Sequence, residues 1–335
     1  MADNKIIRSI CYFTENPSQE ITEKIATSAK TLEDKGYIIQ TTRMCSLSKD
    51  IDVLSGKADY LSIGTITYEE ALERLPKFYE TNNLNFNIEL AHTQIDNKYV
   101  DLLFKVIRER PDKTFSFTFV FNNAPSSPFF PSGNYEKTGF SIGLQPTDLS
   151  ENCTSLEAWF AEMKTCWDEI AEMFTENSDF LGIDSSIAPL LGGKGSMVNF
   201  IKRLGMTFDH SVTTDTYTKI TRFIKEKNPK PVGLCGMMLP CLEDDELAAE
   251  YEQGNFSIER NIFLSLHSGL GIDTYPIAVD EKPKRVLEIL TLLQALSNKY
   301  KKPLSARFVS DGKAKIGEKT EYQNQYLADV ILRKL

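Results

Sequence analysis

The sequence has no basic excess, no long apolar run and no leader-like N-terminus. Lys and Arg number 38 and Asp and Glu number 47, giving 335 residues a net charge of −9. Because neutralising phosphates requires a basic face, this balance argues against a nucleic-acid partner. No stretch approaches the roughly 18–20 apolar residues of a membrane span, and MADNKIIRSICYF lacks the apolar region and cleavage site of a signal peptide. We therefore expect a cytoplasmic protein that contacts neither nucleic acid nor membrane.

Histidine and paired cysteine are also scarce. The chain has three histidines and six scattered cysteines, and none of the cysteines forms a CxxC pair. A zinc site of the His/Cys type needs its ligands at shorter spacings, so such a site is not expected. Disulfide bonds are not expected in a cytoplasmic protein either.

The apolar pattern alternates between strand-like and helix-like segments, which favours an α/β fold. Residues 6–13 and 115–121 have the clearest strand character, and residues 155–175 form a strongly amphipathic helical pattern. The tail, residues 323–335, is also predicted to be helical. Without an internal repeat or a low-complexity linker, residues 1–335 are expected to form a single barrel-like domain.

The loop NNAPSSPFFPSGN, residues 122–134, follows the clearest strand. Loops of this length without regular structure are uncommon in compact domains and are often functional. A surface connection stiffened by its three prolines is the alternative interpretation.

Two short segments, GIDSS at Asp184 and GIDT at Asp273, resemble each other. In each, an apolar residue leads into an aspartate that is followed by a hydroxyl side chain. This pattern is typical of a strand that presents a carboxylate at its end. The alternative is that both aspartates satisfy nearby backbone N–H groups in turns or helix caps.

The acidic run EDDE contains Glu243 and Asp244 and follows Pro240. Carboxylates in the first turn of a helix are stabilised by exposed N–H groups and the helix dipole, so the run has a structural explanation. If Glu243 or Asp244 faces Asp184 or Asp273, however, the four carboxylates form an oxygen-ligand site for Mg²⁺ or Ca²⁺.

Two further residues are candidates for chemistry. His267 lies near the end of a predicted helix, six residues before Asp273, and is the best-placed candidate base. A histidine at a helix C-terminus is also favoured by the dipole alone. Arg307 lies in the otherwise apolar strand LSARFV, so an inward-pointing guanidinium needs Asp184, Asp273 or an acidic ligand as its partner.

At these residues the chain resembles the domain-of-unknown-function family 711, also called uncharacterised protein family 0210. The resemblance implies a ten-stranded α/β barrel similar to the glycyl-radical enzymes, with the site at its centre, but without their radical machinery. Residues 312–317 show no glycyl-radical pattern, and the family brings no established activity. The segments that carry the resemblance are GIDSSIAP, GLCGMMLPCLEDDELA, GLGIDTYPI and KPLSARFV.

The sequence therefore leads to one main hypothesis and one alternative. The main hypothesis is a barrel protein that binds a small anionic metabolite, with hydrolase or lyase as the natural enzyme class. Arg307 would clamp the anion and His267 would act as a base, while the four carboxylates would hold a divalent cation. The alternative is a non-catalytic ligand sensor, or the relic of an enzyme, whose acids only cap helices and pair with Arg307. Whether the chain forms a homo-oligomer is left open.

Overall fold

The computed structural model describes residues 5–335, and strands and helices alternate along most of this range. Its helices begin at polar caps, as at Thr67, whose side chain accepts from the Glu70 N–H while its backbone N–H donates to the Glu70 carboxylate. The strands are β1 (Ile6–Thr14), β2 (Ile38–Ile39), β3 (Thr42–Ser46), β4 (Tyr60–Thr65), β5 (Leu84–Glu89), β6 (Phe117–Phe121), β7 (Gly139–Leu144), β8 (Phe180–Asp184), β9 (Gly271–Pro276) and β10 (Leu304–Val309). The helices are α1 (Gln19–Glu33), α2 (Ile51–Leu54), α3 (Tyr68–Glu80), α4 (Asn97–Glu109), α5 (Leu156–Met173), α6 (Met197–Arg203), α7 (Phe208–Ser211), α8 (Thr216–Lys227), α9 (Asp245–Glu252), α10 (Ile258–His267) and α11 (Pro283–Tyr300).

The ten strands form one sheet with the order β8-β7-β1-β3-β4-β5-β6-β10-β9, and β2 pairs with β1 beside β3. Strands β1, β3, β4, β5 and β6 run parallel to one another. Strands β7 and β8 form a parallel pair, as do β10 and β9. Two antiparallel contacts, β1 with β7 and β6 with β10, join these groups. The predicted α/β architecture with ten strands is confirmed.

The two edge strands, β8 and β9, do not form a ladder with each other in the described chain. Residues 230–241, here called the closing segment, lie between them. The Ile187 N–H donates to the Gly236 carbonyl, and the Met237 N–H donates to the Ser268 carbonyl. Parallel bridges pair Ile187 with Met237 on one side and Pro240 with Asp273 on the other. The closing segment thus connects the two edges of the sheet by isolated bridges.

The two faces of the sheet differ in character. On the outer face, apolar side chains such as Tyr12, Phe86 and Phe119 share one buried cluster with the apolar stripes of the helices. On the inner face, Cys11, Phe13 and Cys45 form a separate small cluster. Many neighbouring inner positions are polar or small. Because the outer apolar layer excludes most water, it supplies the main stabilisation of the fold. The polar inner positions are Ser9, Arg43, Ser62, Asn85, Asn87, Thr118, Ser141, Ser305 and Arg307.

The long loop at residues 122–134, here called the plug loop, fills part of this inner space. The Ser9 side chain donates to the Pro128 carbonyl at 2.8 Å. The Asn87 side-chain amide donates to the carbonyls of Pro131 and Gly133 at 2.9 and 3.0 Å. The peptide before Pro131 is cis. Because the loop contacts inner-face residues of several strands, it is an internal element and not the surface connection considered from the sequence.

The tail differs from the prediction. Residues 323–335 contain no helix, and the chain runs as turns and extended backbone. The Thr320 N–H donates to the Val330 carbonyl, and Lys319 pairs antiparallel with Ile331. Within residues 5–335, no helix combines the length and apolarity needed to cross a bilayer.

Candidate functional site

A cavity of about 210 Å³ lies against the inner face of the sheet, between the plug loop and the closing segment. The first residues of β3 to β6 contribute side chains to its wall, and so do β9 and β10. Tyr326 reaches the cavity from the tail. The charged and polar lining residues are Arg8, Gln40, Thr41, Arg43, Tyr60, Asn85, Thr118, Ser132, Glu243, Asp273, Ser305, Arg307 and Tyr326.

Four of these residues form a continuous chain of ion pairs. Arg8 Nη2 donates to Glu243 Oε2 at 2.8 Å, and Arg307 Nη2 donates to Glu243 Oε1 at 2.6 Å. Arg307 Nε also donates to Asp273 Oδ1 at 2.7 Å. The two carboxylates raise the pKa of Arg307 against the opposing effect of its burial. Of the partners considered from the sequence, the structure places Asp273 beside Arg307, and Glu243 is a second partner.

Arg43 differs from Arg8 and Arg307 because, within residues 5–335, it forms no ion pair with a carboxylate. Its side chain is buried, and its guanidinium lies about 5.4 and 5.3 Å from the ring centres of Tyr60 and Phe130. Its Nε donates to Thr41 Oγ1 at 3.1 Å. Burial, followed by the nearby charge of Arg8, lowers the pKa of Arg43 to about 10, so the group stays cationic at neutral pH. A buried cation held by aromatic faces and a hydroxyl leaves capacity for an anionic partner.

Asp184 is fully buried and accepts five hydrogen bonds from the protein. Ser127 Oγ donates to its Oδ2 at 2.7 Å, and Ser186 donates to its Oδ1 through Oγ and the backbone N–H. The backbone N–H groups of Leu234 and Cys235 complete the set at 2.9 and 3.1 Å. Because these donors come from the plug loop, from the residues after β8 and from the closing segment, Asp184 ties the three together.

Asp244 is buried at the N-termini of two helices. Its Oδ1 accepts from the Leu247 N–H at the start of α9, and its Oδ2 accepts from the Met197 N–H at the start of α6. Burial raises the pKa of Asp244 to about 7, against the lowering effect of these hydrogen bonds. The helix-capping interpretation of the acidic run therefore describes Asp244, whereas Glu243 belongs to the cavity.

His267 is not among the described residues that line the cavity. It ends α10, and its Nδ1 lies 2.8 Å from Ser268 Oγ. Burial, followed by the charge of Lys302, lowers the pKa of His267. Its role as a base stays a prediction.

Burial also raises the pKa of the Cys241 thiol, the cysteine nearest Glu243 in the sequence.

The four carboxylates predicted to bind a cation are divided between separate environments. Glu243 and Asp273 both contact Arg307, whereas Asp184 and Asp244 each serve backbone N–H groups elsewhere. In the part of the chain that the structure describes, no group of three or more His, Cys, Asp or Glu side chains has the arrangement of a metal site. Binding of Mg²⁺ or Ca²⁺ stays a prediction.

Arg8 and Arg43 were not among the residues selected from the sequence. Arg43 lies in a strand between Thr42 and Met44, and Arg8 follows two isoleucines in β1. The argument applied to Arg307, a charged side chain in a largely apolar strand, therefore also identifies them. Tyr60 gave no such signal, because a tyrosine at a strand start is ordinary.

A family model described as an uncharacterised ACR, DUF711, matches residues 21–323. The chain therefore belongs to this family. A search of curated proteins finds no match to the sequence.

Proposed function

We propose that this DUF711 protein binds a small anionic metabolite in the cavity, with the guanidinium of Arg43 as the principal anchor. The observation that carries the proposal is a buried arginine at a cavity wall without a carboxylate partner among the described residues. A buried charge without a counter-ion is costly, and an anionic ligand would remove this cost on binding.

The charge of the lining supports an anion over a cation. Three arginines and two carboxylates line the cavity, so the ionised side chains carry one net positive charge. Glu243 and Asp273 already neutralise most of the field of Arg8 and Arg307 through contacts of 2.6 to 2.8 Å. The uncompensated charge is therefore assigned to Arg43.

The remaining lining supports a small organic molecule. Phe115, Phe129 and Phe130 offer apolar surface, while Asn85, Thr118 and Ser305 offer hydrogen-bonding groups. Ligand sites commonly combine a mostly apolar wall with a few fixed polar groups in this way.

The proposal extends to a hydrolase or lyase, for which the cavity must also supply a group that moves a proton. Asp273 and Tyr60 are the lining candidates. Burial raises the pKa of Tyr60, so its phenol is a hydrogen-bond donor at neutral pH. Arg307, held by two carboxylates, would orient Asp273 and not serve as the primary clamp predicted from the sequence.

The test is thermal stability in sodium phosphate, sulfate, acetate and propionate, each compared with sodium chloride at equal ionic strength. An anion that binds only the folded state should stabilise it by about 2.7 kcal/mol at a concentration 100 times its Kd. Wild type and an exposed control, Arg222→Gln, should show the same shift, and Arg43→Gln should lose it. Equal shifts in Arg43→Gln, or no shift beyond chloride with any of the anions, would contradict the proposal.

A further inference from the structure

Asp273 has one carboxylate oxygen that the protein does not use. Its Oδ1 accepts a hydrogen bond from Arg307 Nε at 2.7 Å and lies 2.7 Å from Arg307 Nη2 in the same ion pair. Within the described chain, no hydrogen-bond donor or ion-pair partner contacts its Oδ2. The side chain is 17% exposed and lines the cavity, so Oδ2 is accessible to a small molecule there.

The other acidic side chain in the cavity offers no comparable atom. Glu243 uses Oε1 for Arg307 and Oε2 for Arg8. Within the described chain, Asp273 Oδ2 is thus the carboxylate oxygen of the cavity that has no donor. Arg43 is likewise the cation of the cavity that has no carboxylate partner. Because Arg307 holds Oδ1 through two contacts, the orientation of Oδ2 is fixed before any ligand arrives.

We infer that the ligand is a small carboxylic acid that also carries a hydroxyl or ammonium group. Its carboxylate would pair with Arg43, and its O–H or N–H would donate to Asp273 Oδ2. This inference rests on the proposed anion site and specifies the ligand that the site selects.

Charge favours a carboxylate over a phosphate ester as the anionic group. The lining carries one net positive charge, which a single carboxylate balances. A phosphate monoester carries about 1.5 to 2 negative charges at neutral pH and would leave an excess beside Glu243 and Asp273. Selection for the donor follows from Asp273 Oδ2. A ligand without a donor would displace water from this oxygen and leave it without a hydrogen bond, which is costly.

The test is isothermal titration with acids that differ only in the donor. One set is propionate, lactate, 3-hydroxypropionate and alanine. A second set adds a phenyl group: 3-phenylpropionate, 3-phenyllactate and phenylalanine. In the wild type, at least one acid with a donor should bind about tenfold or more tightly than the unsubstituted acid of its set, as expected for a hydrogen bond to a charged acceptor.

Asp273→Asn keeps an oxygen for Arg307 but removes the charge of the acceptor. The advantage of the donor-bearing acid should then fall by about tenfold, while the unsubstituted acid binds as well as before or better. An exposed control, Asp209→Asn, should retain the full advantage. Since the comparison within the wild type needs no variant, a folding defect in Asp273→Asn would not remove the test.

The outcomes separate this inference from the proposed function. If propionate or 3-phenylpropionate binds in an Arg43-dependent manner but no donor-bearing acid binds more tightly, the anion site stands and the inference is wrong. An advantage that persists unchanged in Asp273→Asn also overturns it. If none of the acids binds, both the inference and the carboxylate form of the proposed function fail.

Discussion

At the scale of residues, two buried arginines on the inner face differ in their surroundings. Arg307 is held by Glu243 and Asp273, whereas Arg43 is held by two aromatic rings and one hydroxyl. In the free protein, the first is a satisfied structural cation. The second has no carboxylate partner within the described chain.

This difference predicts opposite effects on stability. Arg307→Met should destabilise the protein by about 3–5 kcal/mol, because two carboxylates lose a buried partner. Arg43→Met should leave the free energy of unfolding unchanged or raise it, because a poorly compensated charge is removed. Urea unfolding without added anions measures both. A loss above about 1.5 kcal/mol in Arg43→Met would assign Arg43 a structural role.

Gly233 shows how closely the closing segment approaches Asp184. Its φ is +73°, and a Cβ there would lie 2.3 Å from Asp184 Oδ2 and 2.9 Å from Ser127 Cα. Gly193 has a similar φ of +65° but no atom within 4 Å of its Cβ position. Gly193→Ala should therefore cost only the backbone strain, about 1 kcal/mol. Gly233→Ala should cost at least about 2 kcal/mol more, because Asp184 or the plug loop must move. Equal losses in chemical unfolding would refute the close approach.

The surroundings of a residue can be predicted from the sequence where one physical requirement allows few arrangements. An arginine in an apolar strand needs a counter-charge, and Arg307 has Asp273, one of the partners considered from the sequence. The same requirement does not reveal that Arg43 lacks such a partner within the described chain, because this depends on which strands become neighbours. The donors around Asp184 are equally non-local, since they come from Ser127 and the closing segment.

At the scale of elements, the plug loop is held by side chains on the inner face of the sheet. Asn87 donates to the carbonyls of Pro131 and Gly133 and accepts from Thr65 Oγ1 at 2.7 Å. The NH₂ group of Asn87 therefore faces the loop and its oxygen faces Thr65, because both loop carbonyls require a donor.

Asn87→Asp should release the plug loop with little change in side-chain volume. The substitution places a carboxylate oxygen against two carbonyl oxygens, and we expect a loss of about 2–4 kcal/mol. Limited proteolysis should then cleave within residues 122–134, where the wild type is protected. Asn97→Asp, at the exposed start of α4, should change stability by less than about 0.5 kcal/mol. Protection of the loop in Asn87→Asp would contradict its anchoring role.

Regular elements were easier to predict than the tail. The apolar stripe of α5 and the β-branched and aromatic residues of β6 agree with their structures because local spacing reflects burial there. In the tail, Val330 and Leu332 are buried while Ile331 and Arg333 are exposed. This spacing of two residues is typical of extended backbone, and the tail's backbone pairing depends on a distant segment.

At the scale of the whole molecule, the stability of the fold should depend on the protonation of Asp244. Burial raises its pKa to about 7, above the unfolded value of about 3.9. Between these values the folded chain holds a proton that the unfolded chain has released, so this residue's contribution to stability falls as pH rises and is lost above pH 7.

Asp244→Asn removes this titration. Its lost hydrogen bonds lower stability equally at every pH, but the free energy of unfolding relative to wild type should rise by roughly 2–3 kcal/mol from pH 5 to pH 8. Urea unfolding at both pH values gives the difference, and an exposed control, Asp101→Asn, should show little change. A difference that is constant with pH would show that Asp244 is ionised in the fold throughout this range.

The ten-stranded sheet could be anticipated only in part. Alternating elements predict an α/β class, and the family resemblance supplied the ten strands. The closing segment lacks ladder pairing, and its role depends on parallel bridges to residues far apart in the sequence, Ile187 and Asp273. Such contacts are set by the assembled sheet and not by local pattern.

The central claim is that the cavity binds a small acid through Arg43. A crystal structure of the protein with its tightest-binding acid from the titration tests this most directly. We predict that the acid lies in the cavity, with its carboxylate within hydrogen-bond distance of the Arg43 guanidinium and its donor group facing Asp273 Oδ2. An acid bound at saturating concentration outside the cavity, or inside it without contact to Arg43, would contradict the account.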